Sequence, residues 1–434
     1  MLIEFSIGNY RSFKDKVTFS MVAANIVAKE KELDENNVFA VDDDLKLLKS
    51  AAIYGANASG KSNLAKALKF MKWFMINSSK ETQSTEKIGV EPFGLSTETE
   101  AQPSFFEIVF LLNGKKYRYG FEATQENVVS EWLFDVPRSR ETRLFERIND
   151  GNSSTINLSK RFKAEGIYPK TRHNALFLSV AAQFNVERAE NILAWLTRKL
   201  QIVSGLHDKG YLDYTVSCLA ENNINKEEIL QLIKKLDLGI RELSVKETVI
   251  TPDSLPKDIP DEVKKFIFKS GSHKSTTINT LHQKFDDNGN YVSMELFDLE
   301  DQESEGTKKI VAIAGPLVDT LKDGKIVIFD EFDARLHPLI SKAIVELFNS
   351  KETNSKNAQL IFMTHDTNLL SNKLFRRDQI WFTEKNKYGA TDLYSLVEYK
   401  VRNDASFESD YIKGRYGAIP FIGNLSQIIG EPNA

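Results

Sequence analysis

The stretch GANASGKS at residues 55–62 constrains this chain more than any other. It has the form G-x-x-x-x-G-K-S, follows the apolar run AAIY and precedes the helix-like NLAKALKFMKWFM. A strand, a glycine-bearing loop and a helix in that order form a phosphate loop. Glycines let the backbone turn tightly around an anion. Successive N–H groups and the helix N-terminus then face that anion. Lys61 is placed to reach the β- and γ-phosphates of a nucleoside triphosphate, and the Ser62 hydroxyl to ligate Mg²⁺. The candidate ATP site takes in Gly55, Asn57, Ser59, Gly60, Lys61, Ser62 and Asn63.

A second pattern completes the first. KIVIFDEFD, residues 325–333, is a buried-type strand with acids emerging at its C-terminal end, where open α/β sheets hold ligands. Asp330 is expected to bind Mg²⁺, and Glu331 to polarise an attacking water. Another such strand, QLIFMTHD at residues 359–366, ends at His365. That imidazole is either a sensor of the γ-phosphate or a structural histidine. Lys61, Glu331 and His365 are therefore the candidate catalytic residues.

The remaining pattern divides the chain into three. Residues 1–158 open with strand-like LIEFSI and KVTFSM and contain SFFEIVFLLNGKKYRYGFEA, a hairpin around Asn113-Gly114. Leu64, Leu68, Met71 and Met75 recur at helical spacing. Residues 159–275 read as an inserted, mostly helical subdomain, from NVERAENILAWLTRKL and from NKEEILQLIKKL with a capping-box start at Asn225 and Glu228. In residues 276–434, strands YVSMELFDL, KIVIF and AQLIFMT alternate with helices, which predicts a parallel sheet covered on both faces. Gly414, Gly417 and Pro420 predict a tight, exposed bend near the end. It either docks a partner or closes the fold.

Together these motifs resemble the ABC-type P-loop ATPase heads that include the SMC and OLD ATPases. The resemblance implies an α/β fold with a mixed sheet and a signature segment before the acid-bearing strand. Here that segment is Ser304-Glu305-Gly306-Thr307, followed by Ile310, Ile313 and Leu317. Family signatures carry Leu where Glu303 stands and Gly where Glu305 stands. By resemblance, Ser304, Gly306 and Thr307 cap the γ-phosphate of ATP held by a second copy, so that two heads sandwich two nucleotides. The same Ser304 also reads as an ordinary helix N-cap. Residues 333–338 occupy the position of the family's D-loop, with Arg335 and His337 as departures. IGNYRSFKD, YRYGFE and RRDQIWFTEK narrow the resemblance to bacterial stand-alone ATPases related to RloA and the AbiL abortive-infection proteins. That implies antiphage defence beside a separately encoded effector such as a nuclease.

Composition limits the alternatives. The chain has 434 residues and a net charge of −4, so no overall basic field announces nucleic acid. A local basic face leaves nucleic acid open as a partner, either for a scaffold whose ATP is structural or for an SMC-like repair ATPase. Cys218 is the only cysteine, which rules out a disulfide framework. No run reaches the ~20 apolar residues of a membrane span. The N-terminus alternates rather than forming a leader, so the expected location is the cytoplasm. No His-Asn-His, HExxH or ribonuclease pattern marks an effector within the chain.

Overall fold

A computed structural model of the chain describes residues 1–136, 140–149, 154–205, 209–220, 224–236, 238–250, 260, 263, 273–402 and 404–423. The chain forms two compact units. The first comprises Met1–Gly205, Thr320–Ala334 and Ser341–Ala434, and the second Leu206–Asp319 with Arg335–Ile340. These bounds differ from the expected 1–158, 159–275 and 276–434.

The first unit has two sheets. A seven-stranded antiparallel sheet runs Ser154–Leu158, Thr142–Asn149, Val128–Val136, Lys115–Ala123, Ser104–Leu112, Leu2–Gly8, Val17–Ser20. The hairpin at Asn113-Gly114 joins two of these strands, with both turn residues at positive φ (51° and 71°), as its sequence predicts. The second sheet runs Leu200–Ser204, Ile326–Asp330, Gln359–Met363, Ser50–Tyr54, Ile380–Lys385, Thr391–Ser395. Its first five strands are parallel and the last is antiparallel, so the sheet is mixed. The helix Lys61–Asn77 buries Leu64, Leu68, Met71 and Met75 in one core shared by both sheets. Phe74 of that helix packs on Phe121, ring centres 5.4 Å apart. Its buried face anchors the phosphate-loop helix and so fixes where its N-terminus points, while Lys66, Lys69 and Trp73 lie on the exposed face.

Two differences from the sequence reading concern this unit. The helices Phe177–Gln183 and Glu187–Lys199 are part of its core rather than of an insertion, with Trp195 stacked on Phe110 at 4.3 Å. The bend at Gly414, Gly417 and Pro420 is exposed only in part: Arg415, Ile419 and Pro420 are exposed, while Tyr416 and Ala418 fold inward. Tyr411 Oη donates to the Ala418 carbonyl (3.0 Å) and Tyr394 Oη to that of Tyr416 (2.8 Å). Tyr416 and Ala418 are buried, and a Cβ at Gly417 would lie 2.6 Å from Glu384 Oε2.

The second unit, whose bounds are not the expected 159–275, combines helices with a sheet. Beside helices Lys209–Ala220 and Lys226–Lys235 it holds a three-stranded antiparallel sheet, Glu242–Ile250, His273–Phe285, Tyr291–Asp298. The sequence pattern predicts the last of these in the parallel sheet, but it pairs antiparallel with His273–Phe285. No residue of Tyr291–Asp298 is buried, and Val292, Met294 and Leu296 are exposed, unlike the fully buried Gln359–Met363 of the parallel sheet. Asn225 sits at the helix N-cap but its side chain makes no capping bond, so the expected capping box is absent. The core joins Val216, Leu219, Ile229, Ile233, Ile278 and Val311. The long helix Glu305–Asp323 carries Pro316 in its interior. Proline has no N–H for the carbonyl four residues earlier. Thr215 Oγ1 supplies a donor instead, at 2.8 Å from the Ala312 oxygen.

Candidate functional site

The parallel strand Ser50–Tyr54 ends at the phosphate loop, and Ile326–Asp330 lies two strands away. Their C-terminal ends border a cleft of about 450 Å³. Gly60 opens the loop helix with φ 116°, and no side chain caps it. The first helical N–H groups therefore have no intrahelical acceptor, and Gly60, Lys61 and Ser62 line the cleft. Lys61 Nζ folds back onto the loop, donating to the carbonyls of Gly55 (2.7 Å) and Ala56 (3.1 Å). Burial lowers the Lys61 ammonium to about 8, against the opposing pull of Asp330, Asp333 and Glu331.

Ser62 Oγ donates to Asp330 Oδ1 at 2.9 Å. A hydroxyl and a carboxylate at this separation are hard oxygen ligands of the kind Mg²⁺ takes, and an uncapped helix start beside a lysine suits phosphate. The residues present thus fit both Mg²⁺ and a nucleoside triphosphate. Asn57 and Ser59 also line the cleft, while the Asn63 amide is engaged by Ser12 Oγ at 2.8 Å.

Glu331 is held in the left-handed region, φ 58°. For a residue with a Cβ this conformation is uncommon and marks local strain. Gly205 explains how it is kept. Its N–H donates to the Asp330 carbonyl at 2.6 Å, and a Cβ there would lie 1.9 Å from the Glu331 oxygen. On the other side, Phe332 N–H donates to the Met363 carbonyl at 3.0 Å. Glu331 and His365 both line the cleft. His365 N–H donates to Asp333 Oδ1 at 3.3 Å. The imidazole is held below its usual value, by burial first and then by Lys61, with Asp333 opposing.

The sequence reading missed the loop's outer fastening. Ser59 Oγ bonds Thr383 Oγ1 at 2.6 Å, and Thr391 Oγ1 donates to the Ser59 carbonyl at 2.7 Å. A Cβ at Gly55 would lie 2.4 Å from the Thr383 carbonyl, and one at Gly60 2.5 Å from Thr391 Oγ1. Lys66 and Lys385 add cleft-lining cations. No local signal marks Gly205, Thr383 or Thr391, because each is defined by a partner far away in sequence.

Ser304, Gly306 and Thr307 lie in the second unit. Ser304 Oγ accepts from the Thr307 N–H at 3.1 Å, so this serine is a helix N-cap. The two residues that depart from the signature have local partners. Glu303 Oε1 is 2.7 Å from His282 Nε2 and also accepts from Thr280 Oγ1. Glu305 Oε2 is 3.0 Å from Arg335 Nη1, which joins the departure in the signature to the departure after Asp333. A Cβ at Gly306 would lie 2.9 Å from the Arg335 carbonyl.

Residues 50–371, about three-quarters of the chain, match the family described as an AAA domain, putative AbiEii toxin of a type IV TA system. The chain belongs to this family. No curated protein matches it in sequence. Among solved structures, the SMC head domain from Thermotoga maritima is 16% identical, with 91% of this chain and 98% of that one covered and a TM-score of 0.40. The SmcHead bound to the C-winged helix domain of ScpA is 14% identical, with 91% and 97% covered and a TM-score of 0.43. The recombination mediator protein RecF-ATPrS is 12% identical, with 91% and 98% covered and a TM-score of 0.34. TM-scores this low carry no argument about the AAA chain. Among its described residues no helix is long and apolar enough to cross a membrane.

Proposed function

We propose that this AAA-family chain binds and hydrolyses ATP, and that the reaction acts as a switch. The 2.9 Å contact between Ser62 and Asp330 carries the reading, because two motifs separated by more than half the chain meet there as one oxygen-ligand set. Lys61 turns from the loop carbonyls to the β- and γ-phosphates, and the loop N–H groups hold their oxygens. Ser62 and Asp330 would hold Mg²⁺, which would supply positive charge against the phosphate oxygens. Glu331 accepts the proton of the attacking water and so orients its lone pair. His365, which lines the same cleft, offers a hydrogen bond to the γ-phosphate.

In this proposal two copies pair around ATP, with Ser304, Gly306 and Thr307 of each closing the other's nucleotide. Hydrolysis opens the pair and releases or activates a separately encoded effector, such as a nuclease, in the cytoplasm. The family's toxin–antitoxin description and the likeness to RloA and AbiL proteins support a place in antiphage defence. The test is ATP turnover by the wild type and by Glu331→Gln. The variant is expected to bind ATP, stay dimeric and turn over little. Equal turnover in the two proteins would end the hydrolytic reading.

A further inference from the structure

A second polar pocket, of about 370 Å³, opens in the first unit beside the Asn113-Gly114 turn, and the nucleotide cleft shares none of its residues. Four cations line it, Lys115, Arg161, Lys163 and Arg188, with Glu187 as the one lining acid. The two arginines are not loose surface groups. Asp135, 1% exposed, accepts on Oδ2 from Arg161 Nη2 at 2.9 Å and from Arg188 Nη1 at 3.0 Å. A buried carboxylate thus anchors both guanidiniums side by side. Each uses one N–H on Asp135, and a guanidinium has five. Lys115 and Lys163 have no ion-pair partner among the described residues.

Four cations against Glu187 and Asp135 leave this pocket positive in a chain whose net charge is −4. The amides of Asn113 and Asn191 add neutral donors to its wall. Planar guanidinium forks fixed by a buried acid can each donate two parallel N–H bonds to two oxygens of a tetrahedral phosphate, with flexible ammonium groups around them. The volume is larger than one phosphate needs and falls within the range of small-molecule sites.

We propose that this pocket binds a phosphate-bearing ligand, gripped by Arg161 and Arg188 and flanked by Lys115 and Lys163. The source is either a free phosphorylated compound or the phosphorylated end of a nucleic acid. This assignment is independent of the reading given to the nucleotide cleft.

Calorimetric titration of the Lys61→Ala chain, in which the cleft is weakened, tests it at low salt. The probes are inorganic pyrophosphate and a short oligonucleotide made with a 5′-phosphate and with a 5′-hydroxyl. At least one phosphate probe is expected to bind, with affinity falling as salt rises. Adding Lys115→Glu and Lys163→Glu should weaken binding by about tenfold or more, and Arg161→Lys should weaken it too by removing the fork. The paired lysine variant should keep the parent's melting temperature to within a few degrees, since both lysines are exposed. Preference for the phosphorylated over the hydroxyl oligonucleotide assigns the pocket to a nucleic-acid end. Pyrophosphate binding without that preference assigns it to a free compound. No binding by any probe, or binding indifferent to the paired lysine reversal, overturns the proposal.

Discussion

At the phosphate loop, a complete motif meets a second complete motif in space: Ser62 touches Asp330, and Lys61 lies in the same cleft as Glu331. At residues 303–309 the motif is partial, and its side chains have local work: Ser304 caps a helix, Glu303 holds His282, and Glu305 holds Arg335. The difference lies in where the partner comes from. The loop's partners are within its own unit, so one chain already displays the geometry. In the proposed pairing this segment would act on a second copy, and its local cap and ion pairs keep it stable when alone.

The largest effect that sharpens this contrast is the loss of Glu331. Glu331→Gln should cut ATP turnover by about 10²–10⁴-fold, the usual contribution of a general base, in a steady-state assay. A change below threefold would place the loop region beside the signature region as structure only.

Gly205→Ala should come next. Its Cβ would collide with the Glu331 carbonyl at 1.9 Å. The forced shift should cost about 1–3 kcal/mol in denaturant unfolding and reduce turnover more than ATP binding. Unchanged turnover would mean that the left-handed turn at Glu331 is not needed.

The third prediction concerns pH. In the free chain burial puts Lys61 at about 8, and phosphate anions beside it should raise that value. Between the two values the bound form holds more protons. ATP affinity should therefore fall as pH rises above 8, by up to about tenfold per unit, with proton uptake on binding. Titrations in buffers of different ionisation enthalpy measure it. Affinity that is flat from pH 8 to pH 9.5 would remove Lys61 from the phosphate contacts.

Ser304→Ala is the variant that can break the comparison. Loss of the cap should cost about 1 kcal/mol. ATP-dependent pairing, read by light scattering, and turnover should fall as well, while ATP binding to one chain holds. If only the cap energy is lost, the segment is a helix start and nothing more. Smallest of all, Glu305→Gln should change stability by under about 1 kcal/mol, because its pair with Arg335 is exposed.

What the sequence made legible follows the same division. Residues 55–62, 325–333 and 104–123 carry their information in contiguous spacing, and their elements stand where that spacing puts them. The strand Leu200–Ser204 was hidden because it follows the helix Glu187–Lys199 with no turn residue between them. Only its parallel partner Ile326–Asp330 makes it a strand. The strand Tyr291–Asp298 was assigned to the wrong sheet because strand character does not say which sheet a strand joins. Thr383 and Thr391 could not be read at all, since a threonine hydroxyl looks alike wherever it bonds.

Those two threonines also bear on the order in which the chain can be finished. The phosphate loop is made early, yet its outer side is fastened by residues some 320–330 positions later, beyond the segment that matches the family. On the ribosome, Ser59 has no Thr383 or Thr391 to bond until almost the whole chain has emerged. The nascent protein therefore carries an unfastened loop until the strands Ile380–Lys385 and Thr391–Ser395 have been made.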